Sequence, residues 1–127
     1  MLTKSDKEII RRLAGEVATI AALPVQEQKQ ALWRKLNGKN PVRPMVMIDQ
    51  VCWNEMNVDD ELTLQCEDPE CRGYEDRLRQ TLYQWRHFRV DMVVEPFMRV
   101  PRAVTNSGLG VTTEETIAVS DPTNSVV

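Results

Sequence analysis

Pro44-Met45-Val46-Met47-Ile48-Asp49 and Met92-Val93-Val94-Glu95-Pro96-Phe97 are the stretches whose reading decides the fold. Each is a short apolar run that arrives at a carboxylate. Continuous apolar runs of this length suit strands buried on both faces, as parallel strands under crossover helices are. The sequence between them is helical in its second half, so a right-handed β-α-β unit and an α/β fold are the expectation. An acid at the end of such a strand stands where α/β barrels and open α/β sheets gather their ligands. Asp49 and Glu95 are therefore the candidate catalytic pair, sharing one mouth.

Upstream, Ser5-Asp6-Lys7-Glu8 reads as a Ser-x-x-Glu capping box. Ile9, Ile10, Leu13, Val17 and Ile20 recur at helical spacing behind it and predict a first helix ending near Ala22. Pro24 suits the first turn of a second helix, with inner stripe Val25, Ala31, Leu32 and Leu36 and with Gly38 as a left-handed cap. Asn40-Pro41-Val42-Arg43-Pro44 is a stiff connector, because two prolines exclude a helix interior.

Between the runs, residues 50–57 predict a turn or short helix carrying Cys52, Trp53 and Met56, while Leu62-Thr63-Leu64 fits either a short helix or an extended piece. Asp68-Pro69-Glu70 is a strong helix start: an acceptor cap, a proline at the first position and an acid near the positive dipole end. The helix it opens puts Cys71, Tyr74, Leu78, Thr81, Leu82, Trp85 and Phe88 on one face and Glu75, Arg79 and Arg86 on the other. Past Arg99, the turn signal Asn106-Ser107-Gly108 and Val111-Thr112-Thr113 predict a loop or small hairpin, and Ser107-Gly108-Leu109-Gly110 reads as a turn, not a phosphate loop. The expected organisation is a helical pair over residues 1–40 and two β/α units with a loop extension over 41–127.

The chain has 127 residues, 16 Lys and Arg against 19 Asp and Glu, and a net charge of −3. That balance carries no electrostatic footprint for nucleic acid. No apolar run reaches the roughly 18 residues of a membrane span, and the charged start lacks a signal-peptide core. Three cysteines, an odd number, favour a reducing cytoplasm. Parallel strands need several neighbours and cover on both faces, whereas two are supplied here. The chain is thus expected to be a fragment whose barrel remainder is missing, or one whose edges are completed by self-association.

Arg43-Pro44-Met45-Val46-Met47-Ile48-Asp49-Gln50, the preceding Ala31-Leu32-Trp33-Arg34-Lys35-Leu36-Asn37-Gly38, and the second run continuing into Val100-Pro101-Arg102-Ala103-Val104 resemble the opening of uroporphyrinogen decarboxylase-like proteins. The resemblance implies N-terminal helices followed by a (β/α)8 TIM barrel, of which only the first β/α units lie in this chain. Decarboxylases of that family carry Arg-Gln-Ala-Gly-Arg after the first strand, and its arginines hold the porphyrinogen carboxylates. Asp49-Gln50-Val51-Cys52-Trp53 stands at that place, so an anionic tetrapyrrole meets an acid and an aromatic ring instead of two cations. The decarboxylase's aspartate follows the second strand, where Glu95 is the nearest acid and is out of register by a residue or two.

The resemblance therefore points to the corrinoid methyltransferases and demethylases of the superfamily. It implies a small methylated substrate, a corrinoid carried on a partner protein, zinc in the full-length protein, and a segment that is inactive alone and binds no cofactor itself. Gln50, Trp53 and Arg99 are the substrate-binding candidates beside Asp49 and Glu95, since Trp53 and Met56 with acids nearby suit a neutral or cationic methylated group. A genuine decarboxylase and a non-enzymatic interaction module are the alternatives. Cys66 and Cys71 with Cys52 and His87 do not have the spacing of common zinc pairs, so no metal ligand is assigned; His87 fits a charge-dipole role at a helix end.

Overall fold

The computed structural model describes residues 3–100, 102–105 and 110. The chain divides into two compact units, Met1–Phe97 and Met98–Val127. The described residues of the first hold three α-helices, α1 (Lys4–Ala21), α2 (Pro24–Asn37) and α3 (Pro69–His87), with one 3₁₀ turn at Trp53–Glu55. In the second unit none of the described residues lies in a helix or strand. The turn signal at 106–108 and the segments from 111 onward fall outside the described residues.

Helix α1 is capped two residues earlier than Ser5 suggests. Thr3 Oγ1 accepts from the Asp6 N–H at 3.0 Å, and Asp6 Oδ2 accepts from the Thr3 N–H at 3.1 Å. This is a capping box built with Asp in the reciprocal position. The junction between α1 and α2 is tight: the Ala22 and Leu23 N–H groups bond back to Ala18 and Ile20, and Pro24, with no N–H to satisfy, begins α2.

The end of α2 also departs from expectation. Gly38 has φ −81°, and the left-handed residue is Lys39 at φ 59°. Asn40 N–H bonds to Lys35 O and Lys39 N–H to Leu36 O, the two bonds of a Schellman motif with lysine in the glycine position. The inner side of α2 includes two polar side chains, Gln26 and Lys29, which are buried, while Ala31 is exposed.

Helix α3 starts as the sequence predicts, with Asp68 accepting from the Glu70 and Cys71 N–H groups and Pro69 in the first turn. Its buried residues are Cys71, Glu75, Leu78, Leu82 and Trp85, a stripe at spacings of four and three. Glu75, expected on the solvent side, lies within that stripe. Helix α3 packs on α1. Trp85 with Met92 and Val94 forms a core cluster, against which Val17, Ile20, Ala21 and Val25 pack.

The expected α/β architecture is not observed. Among the described residues there is no strand and no sheet, so neither the β-α-β unit nor the first β/α units of a TIM barrel are present. The physical reason lies in where the backbone of the two apolar runs finds its partners. The first run's one backbone bond toward the second comes from Asp91, the residue before it, whose N–H donates to Val46 O at 3.1 Å. The other partners are side chains: Asp91 Oδ2 for the Val46 N–H, Gln84 for the Ile48 carbonyl, and Gln26 for the Val94 N–H. Side chains of α2, α3 and the turn after α3 thus satisfy groups that a ladder would otherwise pair. Nor is the first run buried on both faces: Val46 is 50% and Met47 65% exposed. The second run alternates, with Met92 and Val94 buried on the helices and Val93 and Glu95 half-buried.

Candidate functional site

Of the five residues singled out by sequence, Asp49, Gln50, Trp53 and Glu95 lie in the first unit and Arg99 in the second. Asp49 and Gln50 are exposed, and Asp49 makes no hydrogen bond or ion pair with any described residue. Glu95 is half-buried and is not bonded to Asp49. Arg99 belongs to the second unit and is exposed there. Trp53 is the one that the fold builds into a cluster. Its ring lies 6.2 Å from Tyr83 at 80° and 6.3 Å from Phe88 at 34°, and Tyr83 and Phe88 are 6.0 Å apart at 67°. Tyr83 also meets the His87 ring at 4.3 Å. The 3₁₀ turn delivers Trp53, and the last turn of α3 with its C-cap delivers the rest.

A chain of charges continues from that end of α3. His87 Nε2 is 2.7 Å from Glu61 Oε1, Arg86 donates to Glu61 at 2.9 Å and to Glu16 at 3.2 Å, and Arg12 donates to Glu16 at 3.0 Å. The hydrogen bond from His87, then that from Arg86, holds the Glu61 carboxyl below its ordinary range. Both His87 and Arg86 stand in the last turn of α3, where positive charge meets the negative end of the helix.

Two acids that the sequence reading did not count as site residues are heavily bonded. Asp91 takes a bidentate pair from Arg43 at 2.6 and 2.9 Å and a third bond from the Val46 N–H at 2.9 Å. The Arg43 hydrogen bonds first, and the Val46 N–H second, hold its carboxyl far below the usual carboxylate range. Around it, Trp33 Nε1 donates to Asp91 O at 2.8 Å and Lys29 Nζ to Val90 O at 2.6 Å. Lys29 and Arg89 both lie over the Trp85 ring, at 5.3 and 4.8 Å. Burial lowers the Lys29 ammonium, with Asp91 opposing. Val90 holds this turn at φ 33°, a left-handed conformation costly for a β-branched residue.

Glu75, 0% exposed, is the second. It accepts from the Gln65 N–H at 2.9 Å, the Cys66 N–H at 2.8 Å and Arg79 Nε at 2.7 Å. Burial raises its pKa, but the hydrogen bonds from Cys66, Gln65 and Arg79 outweigh that and leave it lowered. Asp6 ties the same loop to α1 by accepting from the Glu67 N–H at 2.9 Å. Arg79 NH1 donates to Glu61 O at 2.9 Å, while its buried NH2 has no hydrogen-bond partner among the described residues.

Chemically, Glu75 and Asp91 are structural anchors: Glu75 accepts at both oxygens from two backbone N–H groups and Arg79, and Asp91 is held ionised by Arg43 and the Val46 N–H. The thiol of Cys66, pushed up to about 12 by burial first and by Glu75 second, is not a nucleophile. Cys71, also buried, is raised by burial as well. No three His, Cys, Asp or Glu among the described residues form a metal-binding group. Among the described residues, no helix is long and apolar enough to cross a membrane. The Trp53–Tyr83–Phe88 cluster, flanked by Glu61, is the arrangement that remains for binding: aromatic faces and a nearby anion suit a cationic group. Comparison of the chain with protein-family models, with curated proteins and with solved structures found no match.

Proposed function

We propose that this chain contributes a non-catalytic helical segment to a corrinoid-linked methyltransferase or demethylase of the uroporphyrinogen decarboxylase-like group. The proposal draws on no barrel. Its support is the sequence resemblance of residues 31–50 together with one observation: the Trp53 ring, standing where the decarboxylases have a porphyrinogen-binding arginine, is built into an aromatic cluster with Tyr83 and Phe88. A half-buried aromatic cluster favours a methylammonium-like group over a polycarboxylate. The reacting groups come from elsewhere in the assembly, because Glu61, the acid bonded beside the cluster, is engaged by His87 and Arg86.

The test is methyl transfer from methylated ammonium compounds to cob(I)alamin by the complete polypeptide containing this chain. The cobalt supplies the electron pair, the carbon–nitrogen bond breaks and the free amine leaves, so methylcobalamin and demethylated amine appear in equal amounts. Trp53→Ala is expected to weaken substrate binding about tenfold, the effect of a lost cation–π contact of about 1.4 kcal/mol, with Trp53→Phe recovering most of it. Absence of methyl transfer from every donor, or decarboxylation of uroporphyrinogen, overturns the reading. A second reading, a pure interaction module, is favoured by the exposed apolar residues Val42, Val46 and Met47 on one connector.

A further inference from the structure

The backbone of residues 43–49 is bonded on one side and open on the other. The Val46 N–H donates to Asp91 Oδ2 and the Val46 carbonyl accepts from the Asp91 N–H, while the Ile48 carbonyl accepts from Gln84 Nε2. The N–H and carbonyl groups of Met45, Met47 and Asp49, the positions between, engage no described residue. Alternation with period two is the signature of an extended strand, whose successive backbone groups point to opposite edges. One edge of this segment is held by Asp91 and Gln84 and the other presents donors and acceptors without a described partner, the template on which another strand adds.

We propose that a second copy of this chain occupies that edge, pairing antiparallel about a two-fold axis through Val46. The register follows from charge and from proline. With Val46 on the axis, Met45 faces Met47 of the other copy and Arg43 faces Asp49. All four are open-edge positions, so each pair exchanges backbone hydrogen bonds. Pro44, which has no N–H to give, falls on the closed edge, where none is needed. The cross-strand charges are complementary: Asp49 is exposed with no described partner, and Arg43 remains 46% exposed while it holds Asp91. A two-fold contact is self-complementary, so this pairing occurs twice per dimer and closes without forming a filament. Pairing also covers Val46 and Met47, 50% and 65% exposed in the single chain.

The register makes a sharp test by disulfide trapping. Val46 and its copy form a non-hydrogen-bonded antiparallel pair, the geometry whose Cα separation suits a disulfide. In a Cys52→Ser background, which removes the exposed native thiol, Val46→Cys is expected to oxidise to a covalent dimer, and Met47→Cys, off the axis, is not. Independently, Asp49→Lys sets lysine against Arg43 at both pairs and is expected to weaken self-association about tenfold in sedimentation equilibrium, with helical circular dichroism unchanged. A chain that stays monomeric at every concentration overturns the proposal. So does equal trapping at positions 46 and 47, or dimerisation insensitive to Asp49→Lys.

Discussion

At the residue scale, Glu75 and Asp91 govern how the loops of this protein attach to its helices. Glu75 sits inside an apolar stripe, which sequence reading assigns to the outside because the residue is charged. Nothing in the local pattern shows that the Gln65 and Cys66 N–H groups return to it across ten and nine residues. Glu75→Ala strands Arg79 and two backbone donors in the interior, so a loss of about 3 kcal/mol in urea unfolding is expected. Both acids titrate lower in the folded chain than in the unfolded one. The folded form therefore binds fewer protons, and the stability they contribute is complete above the unfolded carboxylate range. It drains as pH falls below about 4. Stability measured from pH 7 downward is expected to fall steeply there, and Glu75→Gln is expected to flatten the fall.

At the element scale, the three helices were largely legible, because a cap, a proline and a 3.6-residue stripe act locally. Asp68-Pro69 starts α3 as read, and Leu78, Leu82 and Trp85 are buried as read. The errors are errors of register at caps. Thr3-x-x-Asp6 and Ser5-x-x-Glu8 overlap, and the first wins because Asp6 also holds the Glu67 N–H, a contact invisible in sequence. At the end of α2 the left-handed position falls on Lys39, one past the glycine. Lys39→Gly is therefore expected to raise stability by about 1 kcal/mol, read as a shifted denaturation midpoint. Leu82→Ala, which opens a cavity in the stripe of α3, is expected to cost about 3 kcal/mol.

At the scale of the whole molecule, the misreading was of the two apolar runs. Periodicity cannot distinguish a strand paired on both sides from a segment laid across helices, since both are apolar and both have extended character. What separates them is the partner of each backbone group, and here Asp91, Gln84 and Gln26 take that role. Of the candidate site, Trp53 was singled out for substrate binding, but its cluster with Tyr83 and Phe88 was not legible, because those partners come from the far end of helix α3; the pairing of Asp49 with Glu95 presupposed a sheet. Through-space proton contacts in the labelled chain test the central claim most directly. Contacts between residues 44–49 and 92–97 of one chain should be confined to the neighbourhood of Val46 and Asp91, with Val94 instead close to Gln26 and Ile48 close to Gln84. A continuous series of cross-strand contacts along both runs would contradict it.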